Sequence, residues 1–411
     1  MATPVTALPK HLVFTRHMIN PYFSYVVAFV LALIAYSFGW SELFPALTGP
    51  LLVFIGSTIL FHIAFSLYWK KNIRVFRETN AGLLHPVWTT LFIYFLWTLD
   101  FVNEGGIPLF KILLGQPYDY KLFGVPSLHV FTVTFASFFT VHLFSLFISS
   151  RERIYFVLYI INLSAALLIY SRAMLIFNVV ASAFVFFLAG YAFSWKRLSV
   201  LSLGCILLIY VFGVLGTFRV SAEVKRNYDP QIFMDIGGAT EGFRNSFFPP
   251  EFFWAYVYFS SPLANLQQNI NTFNVPPFSV ARLGGFVNNE MLLDFISKRI
   301  NHVAGVVRER ENVIPKKPFN VSTVYSRSYS YLGWAGIILI AVFVLLFPLA
   351  YMKSLPSNSY TVAGVAILNT MYVFLFYDNT LRFTGLGLQL AYPFVLPMVE
   401  KAINILKVKM A

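Results

Sequence analysis

Charge is what this chain has least of. Asp, Glu, Lys and Arg make up 11% of its 411 residues, where water-soluble domains carry about 25%. A surface so poor in charge is not built to face water on every side. There is one cysteine, Cys205, inside an apolar run, which excludes a disulfide framework and a thiolate metal cluster. The seven histidines show neither HxxxH nor HExxH spacing, so no metal centre is expected. No internal repeat and no low-complexity tract occurs, which removes support for an inverted-repeat transporter.

What is present is apolar. Hydrophobic residues make up 58% of the chain, and the mean hydropathy is +0.70. Long apolar runs recur, each near the ~20 residues that cross a bilayer. The expected fold is all-α, a polytopic integral membrane protein with ten transmembrane helices at about 21–39, 50–69, 85–103, 127–148, 154–171, 173–193, 198–217, 331–352, 360–377 and 386–403. No small-residue cleavage site follows the first run, so it is expected to remain as a span. Three regions follow from this reading: helices 1–7 in 1–217, a large outer loop in 218–330, and helices 8–10 in 331–411.

Loops on the side of the N-terminus are rich in cations, among them Lys10, Arg16, Lys70, Lys71, Arg74, Arg77, Arg151, Arg153, Lys196, Arg197 and Lys353. The short loops opposite hold only Lys111, Lys121, Arg172 and Arg382. The positive-inside rule then places both termini in the cytoplasm. The net charge of +13 suits anionic partners, and in a chain this apolar those are membrane lipids rather than nucleic acid. Within the outer loop, Leu292, Phe295, Ile296, Ile300, Val303 and Val307 follow helical spacing beside Lys298, Arg299, Arg308 and Arg310. That pattern predicts an amphipathic helix on the outer face of the membrane or a structural collar. The aromatics of 245–259 suit either sugar stacking or an interfacial belt.

From Ile154 to Phe193, Arg172 is the only charged side chain. The run is too long for one span and suits two antiparallel helices, with Arg172 at the outer hairpin. It serves there as a headgroup anchor or as an anion site, since arginine grips phosphate oxygens in a planar, bidentate manner. Asp100, Glu104, His129, Arg327, Asp378 and Arg382 fall at the same level. Each has a structural alternative: Asp100 as counter-charge to Arg172, His129 as a hydrogen-bonded helix-start residue, Arg382 as an anchor. Together they suit an outward pocket for a lipid diphosphate, in which guanidiniums stabilise the charge on a departing diphosphate. A general base for an acceptor hydroxyl would come from Asp100, Glu104, His129 or Asp378.

The stretches LDFVNEGGIPLF (99–110) and FGVPSLHV (123–130) resemble the bacterial oligosaccharide repeat-unit polymerases, the Wzy-type O-antigen polymerases. The SRA turn at 171–173 is similar too, as are SSPLANLQQNI (260–270) and FNVSTVYSRSYSYLGWAG (319–336). The similarity touches much of 85–340. One departure stands out: relatives read aromatic-Asp-Phe-Gly where this chain has Ser330, Tyr331, Leu332 and Gly333. No catalytic aspartate is carried over there.

The resemblance implies a metal-independent membrane glycosyltransferase without cofactor, in the bacterial inner membrane with its large loop periplasmic. Its substrates would be undecaprenyl-diphosphate-linked oligosaccharides, and a chain-length-regulating co-polymerase would be a partner. Arg172, Arg327 and Arg382 would hold diphosphates, with Asp100, His129 or Asp378 as catalytic residues. An O-antigen ligase shares the donor chemistry, and a flippase for the lipid-linked sugar is the rival from another class.

Overall fold

The computed structural model describes residues 19–72, 84–119, 122–190, 195–223, 227–305 and 320–410. Lys10, Arg16, Arg74, Arg77, Lys121, Val307, Arg308 and Arg310 lie outside them. Every element named among the described residues is helical, and the β-pairing there is one isolated bridge, Ser41 with Ala239. In apolar surroundings a helix satisfies its backbone within one segment, which an open strand cannot do.

The long helices are α1 (Pro21–Ser37), α2 (Gly49–Asn72), α3 (Pro86–Glu104), α4 (Leu128–Ser150), α5 (Arg153–Leu168), α6 (Arg172–Leu188), α7 (Trp195–Glu223), α8 (Phe252–Thr272), α9 (Asp294–Ala304), α10 (Trp334–Ser354), α11 (Thr361–Phe374) and α12 (Tyr392–Met410). Four stretches are long and apolar enough to cross a membrane: Gly49–Lys71, Leu128–Ser150, Ser202–Ser221 and Trp334–Ser354. Pro21–Ser37, Arg153–Leu168, Arg172–Leu188 and Thr361–Phe374 are shorter apolar helices.

The expected helices recur with boundaries shifted by a few residues, with three informative differences. First, α7 continues to Glu223, six residues past the expected end at 217. Second, the span expected from 331 starts at Trp334, because Gly333 adopts φ +62 and separates the short helix Ser326–Leu332 from α10. Third, the expected span 386–403 is broken into Thr384–Gly387, a 3-10 turn Leu388–Ala391, and α12. A Cβ on Gly387 would lie 2.4 Å from the Leu381 carbonyl oxygen, so only glycine lets the chain fold back over its own turn.

Helix α11 is the centre of the bundle. Every residue from Val362 to Tyr372 is buried, and α1, α4 and α6 pack against it. Helix α4 is also interior, with 78% of its apolar window buried, against 22% for Gly49–Lys71 and 18% for Ser202–Ser221. The outer helices therefore present their Leu, Val and Phe side chains outward, the distribution expected of a lipid-facing surface. Hydroxyls on α4 bond back to their own helix: Thr132 to the Leu128 carbonyl, Thr134 to Val130 and Thr140 to Ala136. Their donors are thereby met within the helix, and Thr134 Oγ1 also pairs with the Tyr392 hydroxyl of α12 at 2.8 Å.

Two prolines leave carbonyls that donors from other segments fill. Pro348 in α10 has no N–H for the Val344 carbonyl, and the Tyr372 hydroxyl of α11 donates to it instead. Pro397 in α12 likewise frees the Pro393 carbonyl, which accepts from Asn358 Nδ2 at 2.8 Å.

The segment between α7 and α10 has its own small core of Phe233, Met234, Phe243, Phe253, Trp254, Tyr256 and Val257, joined by Trp40 and Phe44 from the α1–α2 turn. This revises the reading of 245–259. Phe253, Trp254 and Tyr256 are buried packing residues, while Phe247 stays exposed. Amides on α8 fasten the rest: Asn265 Nδ2 donates to the Val321 carbonyl at 2.6 Å, and Asn269 Nδ2 to the Ser326 carbonyl at 2.8 Å.

The proline repair generates a prediction. Tyr372→Phe keeps the ring but leaves the buried Val344 carbonyl unpaired, and should cost roughly 1–2 kcal/mol. Thermal unfolding in detergent should show a lower midpoint than the wild type, and an unchanged midpoint would mean that the carbonyl finds another donor.

Candidate functional site

The first group forms where α3 ends and α4 begins. Asp100 lies on the last turn but one of α3 and is fully buried. One carboxylate oxygen accepts the Val125 backbone N–H at 2.8 Å, and the other accepts from His129 Nδ1 at 2.9 Å. The backbone of GVPSLHV is shaped for this contact: Gly124 has φ +89 and Ser127 φ +66. A Cβ on Gly124 would sit 2.6 Å from the His129 ring, so the imidazole occupies the space that a side chain would need. Phe123 meets the ring edge-on at 5.0 Å and Trp97 at 6.0 Å.

The imidazole is thus held on one nitrogen by a buried acid and on two sides by aromatics. With Nδ1–H donating to Asp100, Nε2 carries the lone pair. The His129 side chain keeps 26% of its surface exposed, while Asp100 has none. This is the arrangement of an oriented general base.

The second group joins the segment between α7 and α10 to the turn after α11. Arg382 is nearly buried, and its Nη1 donates to Asp294 Oδ1 at 3.0 Å and to the Asn289 carbonyl at 3.2 Å. Glu290 lies 3.9 Å from Arg382 Nε. Glu290 belongs to a single π-helical turn, Val287–Met291, of the kind often found at functional sites. Asn379 Nδ2 donates to the Glu290 carbonyl at 2.7 Å. On the outer edge Arg327 Nη2 meets Asp378 Oδ2 at 3.4 Å, with the Asp378 side chain 53% exposed.

Arg172 stands apart. It opens α6 after a tight hairpin in which the Ser171 hydroxyl caps the helix by accepting the Met174 N–H. Its side chain is exposed. The counter-charge expected of Asp100 is not supplied, because that carboxylate is taken by Val125 and His129. Glu104 likewise pairs with Lys111 at 2.7 Å. The three groups nonetheless share one end of the bundle. Tyr118 OH, between α3 and α4, donates to the Ile169 carbonyl beside Arg172. Phe177 of α6 stacks on Phe374, just before Asp378.

Glu290 and Asp294 escaped the sequence reading, because they sit in the long outer loop where no span boundary marks them. The available signal was the run VNNEMLLD (287–294), two carboxylates and two asparagines amid apolar residues. Among the described residues no three His, Cys, Asp or Glu side chains converge on a metal-sized site.

Comparison with protein-family models, curated proteins and solved structures finds no match. The protein is all-helical in its described residues, with apolar, membrane-type helices and separate groups of ionisable side chains at one end of the bundle.

The second group carries a pH prediction. Burial raises the Glu290 carboxyl from 4.5 to about 7, against the pull of Arg382 and Arg327. The folded state therefore holds this proton more tightly than the unfolded chain. The stability it contributes is fully present below about pH 4.5 and is lost as pH rises through about 7. Glu290→Gln, which cannot ionise, should flatten this part of the stability profile in melting curves recorded across that window. A mutant profile parallel to the wild type would show that Glu290 does not titrate there.

Proposed function

We propose that this protein is a membrane glycosyltransferase that polymerises undecaprenyl-diphosphate-linked oligosaccharide repeat units into O-antigen or a related surface polysaccharide. The observation that carries the reading is the Asp100–His129 pair, built from the two stretches in which the polymerase resemblance is strongest. The ten-helix topology follows the positive-inside arrangement, with both termini cytoplasmic and residues after α7 facing the periplasm.

In this reading His129 Nε2 takes the proton from an acceptor sugar hydroxyl. The oxygen attacks the anomeric carbon of the donor, the bond from that carbon to the diphosphate oxygen breaks, and undecaprenyl diphosphate leaves with the bonding electrons. Asp100 does not touch substrate; it orients His129 and stabilises the imidazolium that forms. Arg172 and Arg327 are the partly or fully exposed guanidiniums and hold the diphosphates. A diphosphate competes with Asp378 for Arg327, because the pair at 3.4 Å is long and its acid is open to solvent. The burial of Arg382 between Asp294 and Glu290 supports a different task, fastening the outer segment over the site.

The test is a lipopolysaccharide gel from the host strain with the gene deleted, complemented by variants. Deletion should remove the polymer ladder and leave core carrying a single repeat unit. Bare core without that band would instead mean ligation or flipping, and would overturn the polymerase reading. His129→Ala should lower polymer yield by about 10²–10⁴, with Asp100→Asn impaired in the same direction. Arg172→Ala should abolish the ladder and Arg172→Lys restore part of it, since lysine offers a charge without the planar fork. A normal ladder from Arg172→Ala would return that residue to a headgroup anchor.

A further inference from the structure

Helix α9 is amphipathic in the reverse of the usual sense. A surface helix of a soluble domain turns its apolar stripe inward. In α9 the polar residues face the protein. Asp294 holds Arg382, the Ser297 hydroxyl donates to Asn289 Oδ1 at 2.7 Å, and Asn301 Nδ2 donates to the same oxygen at 2.8 Å. Asn288 Nδ2 donates to Asn301 Oδ1 at 2.7 Å. These residues recur at the three- and four-residue spacing that lines one helix face, and Ser297 is fully buried.

The apolar residues are left outside. Ile296 is 36% exposed, Ile300 41% and Val303 86%. At ~100° per residue they form one stripe, turned away from the asparagine-bonded face. Arg299 borders that stripe, with His302 and Lys298 farther round the exposed surface, and Arg299 lies over the Phe295 ring at 5.6 Å.

The start of α9 is fixed to the end of the bundle. The Asp294 N–H donates to the Arg382 carbonyl at 2.8 Å, and the Phe295 N–H to Thr384 Oγ1 at 3.0 Å. Phe383, between those two anchors, is itself 55% exposed. The helix is therefore held at the level where the apolar helices end, with an apolar stripe outward and a cation at its edge.

We propose that α9 lies in the outer leaflet of the bilayer, with Ile296, Ile300, Val303 and Phe383 in the upper acyl region. Arg299, at the edge of the stripe, then meets lipid phosphates. The occupant of this face is lipid: the stripe continues the apolar surface of the bundle at its rim, and the bordering charge is positive, complementary to phosphate. The polar face makes the helix a strut. It transmits its position at the interface to Arg382 and Glu290 through Asp294, and so sets the depth of that group relative to the headgroups. The inference rests on the membrane reading of the bundle and is independent of the glycosyl-transfer chemistry.

The test uses the full-length protein in lipid nanodiscs, with Cys205→Ser and a single new cysteine, Val303→Cys or His302→Cys, carrying an environment-sensitive fluorophore. Both positions are exposed, so the asparagine-bonded face is undisturbed. The label at 303 should emit to the blue of the label at 302. It should be quenched by lipids spin-labelled near the top of the acyl chain and protected from aqueous iodide. Iodide quenching at 303 without lipid quenching would place the stripe in water and overturn the proposal. Protection from both quenchers would mean that protein covers it, a second copy or another chain, and would overturn it equally. Loss of polymer in the gel assay has no bearing on this readout, so the two readings fail separately.

Discussion

A backbone carbonyl in apolar surroundings has no water to fall back on, and that constraint reaches into every part of this fold. It explains why the described elements are helices. It also explains why the two helix-interior prolines cited above each come with a donor from another segment, Tyr372 of α11 for the Val344 carbonyl and Asn358 of the α10–α11 turn for Pro393. The same requirement makes Thr132, Thr134 and Thr140 harmless inside α4, because their hydroxyls return to their own turn. The bundle is thus held by many small satisfactions around α11 rather than by a charged core.

His62 and His142 are buried within helices, while the charged side chains singled out here gather near helix ends, and their burial differs. Asp100 is buried and has two donors, so it is fit to orient but not to bind. His129, held at Nδ1 and partly open, has one nitrogen left for chemistry. Arg382 is closed in by carboxylates, whereas Arg172 and Arg327 retain exposed surface. Three arginines that look equivalent on a line of text thereby divide into one closed in by carboxylates, one exposed, and one partly exposed beside Asp378.

The segment between α7 and α10 shows the same division between packing and presentation. Its aromatic run supplies a local core against the α1–α2 turn, and its amides tie it to the strandless stretch before α10. Helix α9 spends its polar side on the protein and leaves its apolar side to the surroundings. This inverts the usual rule only if the surroundings are taken to be water.

Helix positions were legible from hydropathy because each segment satisfies its own backbone, so a local run of residues suffices to specify it. The hairpin before Arg172 could be read in the same way, from the length of one apolar run. Pairings could not. Asp100 and His129 are brought together by positive φ at Gly124 and Ser127, and Glu290 reaches Arg382 across most of a hundred residues. Such contacts depend on how separately stable helices dock, and docking is set by side-chain packing between distant segments, which no local pattern records. The break at Gly387 belongs with them. The sequence by itself determined an all-helical, apolar chain with its charges at helix ends; only the tertiary structure decided which charges meet, which are buried, and which face of α9 looks out.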